Sequence, residues 1–213
     1  NKKVNAAILI IGNEILSGRT QDTNTNTIAL WLNSIGVRLQ EVRVIPDIEK
    51  TIIDTVNILR KKYDYVFTTG GIGPTHDDIT AQSISKAFNL AYEIHKEAFK
   101  ILEAYYKQGE FNEGRQKMVW MPKNAELILN PSSGAPGFNI ENVFCLPGVP
   151  SILKSMLGGL KNKIIGGEPV LSHTISLRTI ESEIASSLTN VQNKNKEVEI
   201  GSYPFFQAGK LGV

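Results

Sequence analysis

A chain of 213 residues with 41 % hydrophobic and 21 % charged side chains has the make-up of a globular protein, long enough for one sizeable core and a small second unit. Its formal net charge of +2 speaks against the concentrated basic surface of a nucleic-acid binder, and its single cysteine, Cys145, excludes an internal disulfide. No run approaches the roughly 20 apolar residues of a membrane span and no signal peptide is visible, so no membrane association and a cytoplasmic setting are expected, although the chain begins without Met.

Apolar residues 6–11 predict a buried strand. Ile28, Trp31, Leu32 and Ile35 follow at helical spacing, with Gly36 as the stop. Residues 37–45 read as a strand, Ile52, Val56 and Leu59 as a helix, and residues 65–69 as a third strand. Ile79, Ile84 and Phe88 mark the next helix, and Ile94, Ala98, Leu102 and Tyr105 another. Residues 108–125 read as a connection rich in Gly, Asn and Lys. Strands at 127–129 and 142–146 and a helix through Ile152, Leu153 and Met156 come next. The glycine pairs Gly158-Gly159 and Gly166-Gly167 mark a boundary, which divides the chain into 1–167 and 168–213. Beyond it, strands at 170–177 and 198–206 flank a helix at 180–191, a small α+β unit. Strands alternating with helices imply a mostly parallel sheet with right-handed crossovers. Ligands bind such sheets beyond the carboxyl ends of the strands, and Gly12, Asp47 and Gly70 each fall just past a predicted strand end.

Residues 68–80, Thr-Thr-Gly-Gly-Ile-Gly-Pro-Thr-His-Asp-Asp-Ile-Thr, carry the most information. A strand runs into a glycine-rich turn that opens a helix, which leaves backbone N–H groups aimed at one spot, an anion site. Asp77 and Asp78 stand beside it, and carboxylates next to a phosphate call for a cation between them, most often magnesium. The pattern is neither G-x-G-x-x-G nor a P-loop, which would need a lysine. The competing reading is a tight turn with an acidic helix cap.

Other candidates have equally plain alternatives. Glu14, after Gly12-Asn13, either meets a ligand or is a first-turn helix glutamate. Ser17, Asp22, Thr23 and Asn24 suit phosphate or ribose contacts and helix caps alike. His76 reads as a loop residue, and Cys145, in an apolar strand, as an inert buried thiol. Arg19 and Arg115 are candidate phosphate partners or solvated surface arginines. Gly134-Ala135-Pro136-Gly137 and Pro147-Gly148-Val149-Pro150 either let the backbone approach a ligand or are turns. Gly209-Lys210-Leu211-Gly212 spells G-x-x-G but follows a strand, so it reads as a turn and not an RNA clamp.

Six ordered blocks carry a family resemblance: Ile11-Gly12-Asn13-Glu14-Ile15-Leu16-Ser17-Gly18 with Asp22-Thr23-Asn24; Val44-Ile45-Pro46-Asp47; the 68–80 motif; Arg115 with Met121-Pro122; Asn130 with Ala135-Pro136-Gly137-Phe138; and Leu146-Pro147-Gly148-Val149-Pro150. Glu181-Ser182-Glu183-Ile184 and Ile200-Gly201-Ser202-Tyr203-Pro204 extend it. The chain resembles the molybdopterin-binding (MoaB/MogA-type) domain family, in particular the branch formed by the amino-terminal part of CinA proteins. The resemblance implies a three-layer MogA-like α/β fold with a mostly parallel central sheet, followed by part of a KH-like α+β segment. In the CinA branch it implies divalent-metal-dependent cleavage of a nucleotide pyrophosphate such as ADP-ribose or FAD. In the wider family it implies binding and adenylylation of molybdopterin. A non-catalytic pterin- or nucleotide-binding module is the third reading. By the same resemblance Asp47 and Asp78 are the catalytic acids, with Asp77 and Asp78 as metal ligands. The ligand-binding set is Gly12, Glu14, Thr69, Gly70, Gly71, Gly73, Pro74, Thr75, Arg115, Pro147 and Gly148. Magnesium, molybdopterin or an adenine nucleotide, and a homotrimer or homodimer complete the expectation.

Overall fold

The computed structural model describes residues 2–213. Along the chain come β1 (Val4–Ile11), α1 (Asn13–Leu16), α2 (Asn24–Ser34), β2 (Val37–Ile45), α3 (Glu49–Lys62), β3 (Tyr65–Thr69) and α4 (Thr80–Ala87). They are followed by β4 (Tyr92–Ile94), α5 (Lys96–Tyr105), α6 (Glu113–Gln116), β5 (Trp120–Pro122), β6 (Glu126–Ile128), β7 (Gly137–Ile140), β8 (Val143–Leu146) and α7 (Pro150–Leu157). A 3₁₀ turn, Gly158–Lys163, then α8 (Glu181–Lys194), β9 (Phe205–Gln207) and β10 (Lys210–Gly212) complete it.

The chain divides into two units, Asn1–Val170 and Leu171–Val213. In the first, β1 decides the architecture. Ala7, Leu9 and Ile11 belong to one core and Ala6, Ile8 and Ile10 to another. A strand apolar on both faces must be covered on both. The six-stranded sheet accordingly runs β2-β1-β3-β8-β7-β6 between two helical layers. Ile52, Val56 and Leu59 of α3, Ile84 of α4 and Leu102 of α5 fill one side, and Ile28 and Leu32 of α2 with Leu153 and Met156 of α7 fill the other. β2, β1, β3 and β8 are mutually parallel, while β7 and β6 are antiparallel additions. The four parallel strands therefore end on one edge. The expected mostly parallel three-layer α/β fold is what the chain forms, and no helix among the described residues is long and apolar enough to cross a membrane.

The stretch expected to be a plain connection, 108–125, instead contains α6 and β5, and β5 pairs with β4 as a separate two-stranded ribbon. Ile94 consequently lies in β4 opposite Trp120, and α5 starts only at Lys96. Three-residue strands are too short to show a two-residue period, so the apolar spacing of Ile94 was read as helix.

In the second unit, residues 170–177 form no regular strand; only Leu177 joins the pairing, exchanging hydrogen bonds of 2.8 and 3.1 Å with Val213. The strand expected over 198–206 shrinks to β9, which turns through Ala208 and Gly209, both at positive φ, into β10. Gly209-Lys210-Leu211-Gly212 is thus hairpin, as its sequence position indicated.

Candidate functional site

The site grows from the carboxyl ends of β1, β2, β3 and β8. Gly12 N donates to Ile45 O at 3.1 Å, and Gly70 N donates to Leu146 O at 3.0 Å, so the first residues past these strands stay laced to the sheet. Gly70 (φ +92°) and Gly71 (φ +73°) adopt the left-handed backbone that L side chains avoid. Space excludes a side chain there as well: a Cβ on Gly70 would lie 2.2 Å from Ile11 O, and one on Gly71 would lie 2.0 Å from Thr80 Oγ1. Buried Thr80 locks the turn, its hydroxyl donating to Gly70 O and its N–H to Gly71 O, both at 2.9 Å. Among the described residues the N–H groups of Gly71, Ile72 and Gly73 have no hydrogen-bond partner. Consecutive free N–H groups in a glycine turn form a concavity for an anion. A loop of residues 74–79 separates this turn from α4, where the sequence suggests a turn opening directly into a helix.

The acids gather beside this cradle. Thr75 Oγ1 lies 2.5 Å from Asp77 Oδ1 and 2.7 Å from Asp78 Oδ2, and Thr75 N donates to Asp78 Oδ2 at 2.9 Å. Two neighbouring carboxylates thus converge on one hydroxyl. The Thr75 hydroxyl holds the Asp77 carboxyl below its ordinary pKa, and the N–H of Asp77 itself adds to this. From β2, Asp47 Oδ2 accepts from Asn13 N at 3.0 Å while Asp47 N donates to Asn13 Oδ1 at 3.3 Å. Burial pushes the Asp47 carboxyl above the usual aspartate range, and the charges of Glu14, Asp77 and Asp78 push it the same way against the Asn13 hydrogen bond. Four carboxylates from three loops therefore share one electrostatic neighbourhood. Glu14 folds back over Gly12, where a Cβ would meet its Oε1 at 2.4 Å.

The remaining candidates take distinct places. Thr69 is buried as the last residue of β3, and Pro74 and Thr75 lie on the exposed part of the motif loop. Pro147 and Gly148 follow β8, and a Cβ on Gly148 would lie 3.4 Å from Gly70 Cα, so the two loops touch backbone to backbone. Arg115 turns elsewhere: its guanidinium lies 4.4 Å over the Tyr106 ring and donates from Nη1 to Glu110 O at 2.5 Å. Asp22 serves as a helix cap, its Oδ1 accepting from Asn24 N at 2.9 Å. Cys145 is fully buried, and burial raises its thiol to about 12.

Three residues take parts that the sequence did not assign to them. Lys117 brings its ammonium to Thr75 O, so this lysine is the basic side chain at the motif. Thr80 is the lock described above. Asn24, only 6 % exposed, donates from Nδ2 to Gly148 O at 2.9 Å and ties α2 to the same edge. Asn24 reads as a phosphate or ribose contact or a helix cap, Thr80 as the end of the glycine motif, and Lys117 as one of many surface lysines; only folding brings them together.

No group of three or more His, Cys, Asp or Glu among the described residues is arranged to cage a metal ion. Magnesium makes no such demand, because it is held by one or two carboxylates together with the ligand's phosphates. The hard oxygens of Asp47, Asp77 and Asp78 next to an anion cradle fit that ion.

Residues 7–173 match the family profile described as "Probable molybdopterin binding domain", and residues 169–213 match that of "FAD synthase, middle domain". A protein of Archaeoglobus fulgidus is 35 % identical over 197 residues, spanning 92 % of this chain and 84 % of the relative. A protein of Pyrobaculum calidifontis is 32 % identical over 210 residues, spanning 93 % and 80 %. The crystal structure of CinA from Thermoplasma acidophilum, described as of unknown function, superposes with a TM-score of 0.71 at 30 % identity, covering 76 % of this chain and 99 % of that one. A molybdopterin biosynthesis protein from Mycobacterium abscessus shares the fold, with a TM-score of 0.51 at 17 % identity over 76 % of this chain and 92 % of its own. With a profile match across most of its length and the Thermoplasma CinA structure as a neighbour, the chain belongs to the molybdopterin-binding domain family of MoaB/MogA type.

Proposed function

We propose that this sheet edge binds the pyrophosphate of a dinucleotide-like substrate, ADP-ribose or FAD, and hydrolyses it with a divalent metal. Water would attack one phosphorus, the bridging P–O bond would break, and AMP would leave with ribose 5-phosphate from ADP-ribose or FMN from FAD. The carrying observation is the run of free N–H groups at Gly71, Ile72 and Gly73, flanked by the carboxylates of Asp47, Asp77 and Asp78. A phosphorylated pterin or nucleotide that is bound without turnover would need the cradle but not the acids. The match of the carboxyl-terminal segment to a FAD synthase domain favours a flavin nucleotide among the substrates.

In this reading the three N–H groups hold non-bridging phosphate oxygens. Asp47 together with Asp77 or Asp78 would hold magnesium, which when bound neutralises phosphate charge and lowers the pKa of a bound water. Asp47, tied to Asn13 by a pair of hydrogen bonds, would be positioned to orient the attacking water. The ammonium of Lys117, and not the guanidinium of Arg115, would be the phosphate partner that neutralises developing charge.

The test is AMP release from ADP-ribose and FAD with magnesium, with EDTA, and with Asp78→Asn. This substitution keeps an oxygen acceptor for Thr75 while removing the charge. Metal-dependent release that falls at least about a hundredfold in the variant supports the reading. Release that survives EDTA overturns the metal's part. The family profile favours molybdopterin as an alternative occupant of the same cradle, read out as pterin binding or adenylylation without AMP release from either nucleotide. A homodimer or homotrimer belongs to this reading as well. The outer edge of β2, with Val42 and Val44 partly exposed, offers a surface for it, and light scattering would give the mass.

A further inference from the structure

The phosphate cradle shares a shallow pocket with aromatic side chains: Gly71, Gly73, Asp78 and Lys117 line it together with Tyr92 and Trp120. The ribbon of β4 and β5 brings the two rings together. Trp120 is paired with Ile94, so Tyr92, two residues before Ile94, is its diagonal neighbour on the same face. Their ring centroids are 5.4 Å apart at an interplanar angle of 46°. The next residue, Met121, is buried in the core beside the same pocket and anchors the strand that carries Trp120. Trp120 stays 38 % exposed although a large indole gains most from burial. An aromatic side chain held rigidly at the rim of an anion cradle, with one ring backing it, is a platform for a planar ring attached to that anion.

Resting on the pyrophosphate reading above, the geometry points to a ring-binding subsite: the indole of Trp120, backed by Tyr92, stacks the planar nitrogen heterocycle of the substrate while Lys117 meets the adjoining phosphate. The glycine cradle holds any pyrophosphate. The aromatic pair confers preference for those that carry a purine, flavin or pterin ring. Stacking is tolerant of ring identity, because every such ring offers a π face, so the subsite selects a class and not one base.

The test compares dissociation constants of ADP-ribose, FAD and inorganic pyrophosphate for the whole chain, Trp120→Ala and Trp120→Phe, read by tryptophan fluorescence and calorimetry. ADP-ribose and FAD are expected to bind the alanine variant roughly five- to a hundredfold more weakly. The phenylalanine variant should recover most of the loss, and pyrophosphate, which has no ring, should bind all three proteins within about twofold of one another. Unchanged pyrophosphate binding also certifies that the variants are folded. Wild-type protein that binds ADP-ribose no better than pyrophosphate, or an alanine variant that binds ADP-ribose as the wild type does, overturns the subsite and leaves the hydrolysis reading standing. Wild-type protein that binds none of the three overturns the reading on which the subsite rests, and the subsite with it.

Discussion

Adding one methyl group at Gly71 probes the architecture of the cradle most sharply. Alanine there must hold φ near +73°, which costs about 1–2 kcal/mol for an L residue. Its Cβ would also lie 2.0 Å from Thr80 Oγ1. The hydroxyl has to leave, and its bond to Gly70 O goes with it. A buried carbonyl stripped of its partner costs about 1–3 kcal/mol. Gly71→Ala should therefore destabilise the chain by about 2–5 kcal/mol, a fall in Tm of roughly 5–15 °C at this size. Thr80→Ala alone forfeits the same hydrogen bond. The double variant loses that bond only once, so it should be more stable than the sum of the singles predicts by about 1–3 kcal/mol. Urea unfolding of the four proteins, with m-values checked for constancy, measures this coupling. Effects that simply add, within about 0.5 kcal/mol, would refute the claim that Thr80 and the glycine turn form one lock.

Asp47→Asn should lose activity yet gain stability: a carboxyl whose folded pKa is raised is penalised increasingly as pH climbs above the ordinary aspartate range, so the variant's Tm advantage should appear at neutral pH and vanish near pH 4. Glu41 shows the opposite sign. A hydrogen bond from Tyr63 at 2.5 Å, with Arg43 and Lys62 beside it, holds its carboxyl down at about 2. Its stabilisation is therefore present at neutral pH and lost as pH falls below the ordinary glutamate range, and Glu41→Gln should cost about 1 kcal/mol at pH 7 in thermal melts, with the gap closing toward pH 2. Cys145, with its thiol raised to about 12, should resist a thiol reagent in the native protein and react only on unfolding in urea; labelling at native rates would contradict its burial.

The sheet was legible because its strands carry long apolar runs and its helices carry clean spacing, as in residues 6–11 and in Ile52, Val56 and Leu59. The place of the site was legible for the same reason, since Gly12, Asp47 and Gly70 must lie where parallel strands end. Short pieces were not legible. β4, β5 and β7 are three or four residues each and leave no period to read, and β7 begins in the Gly134-Ala135-Pro136-Gly137 stretch, where Gly and Pro suggested a turn. The choice between Arg115 and Lys117 was also closed to sequence. One residue separates them, and only the packing of Arg115 on Tyr106 shows which one reaches the motif. The part of Trp120 was not legible, because the face it presents depends on pairing with β4.

Metal-dependent hydrolysis at this site requires phosphate and metal to meet at the glycine loop. A crystal of the chain grown with ADP-ribose and manganese, with anomalous data collected for the metal, tests this directly. The account predicts a manganese peak within coordination distance of Asp47 and of Asp77 or Asp78, with phosphate oxygens on the N–H groups of Gly71, Ile72 and Gly73. Phosphate density elsewhere, or a metal that avoids those carboxylates, would contradict it.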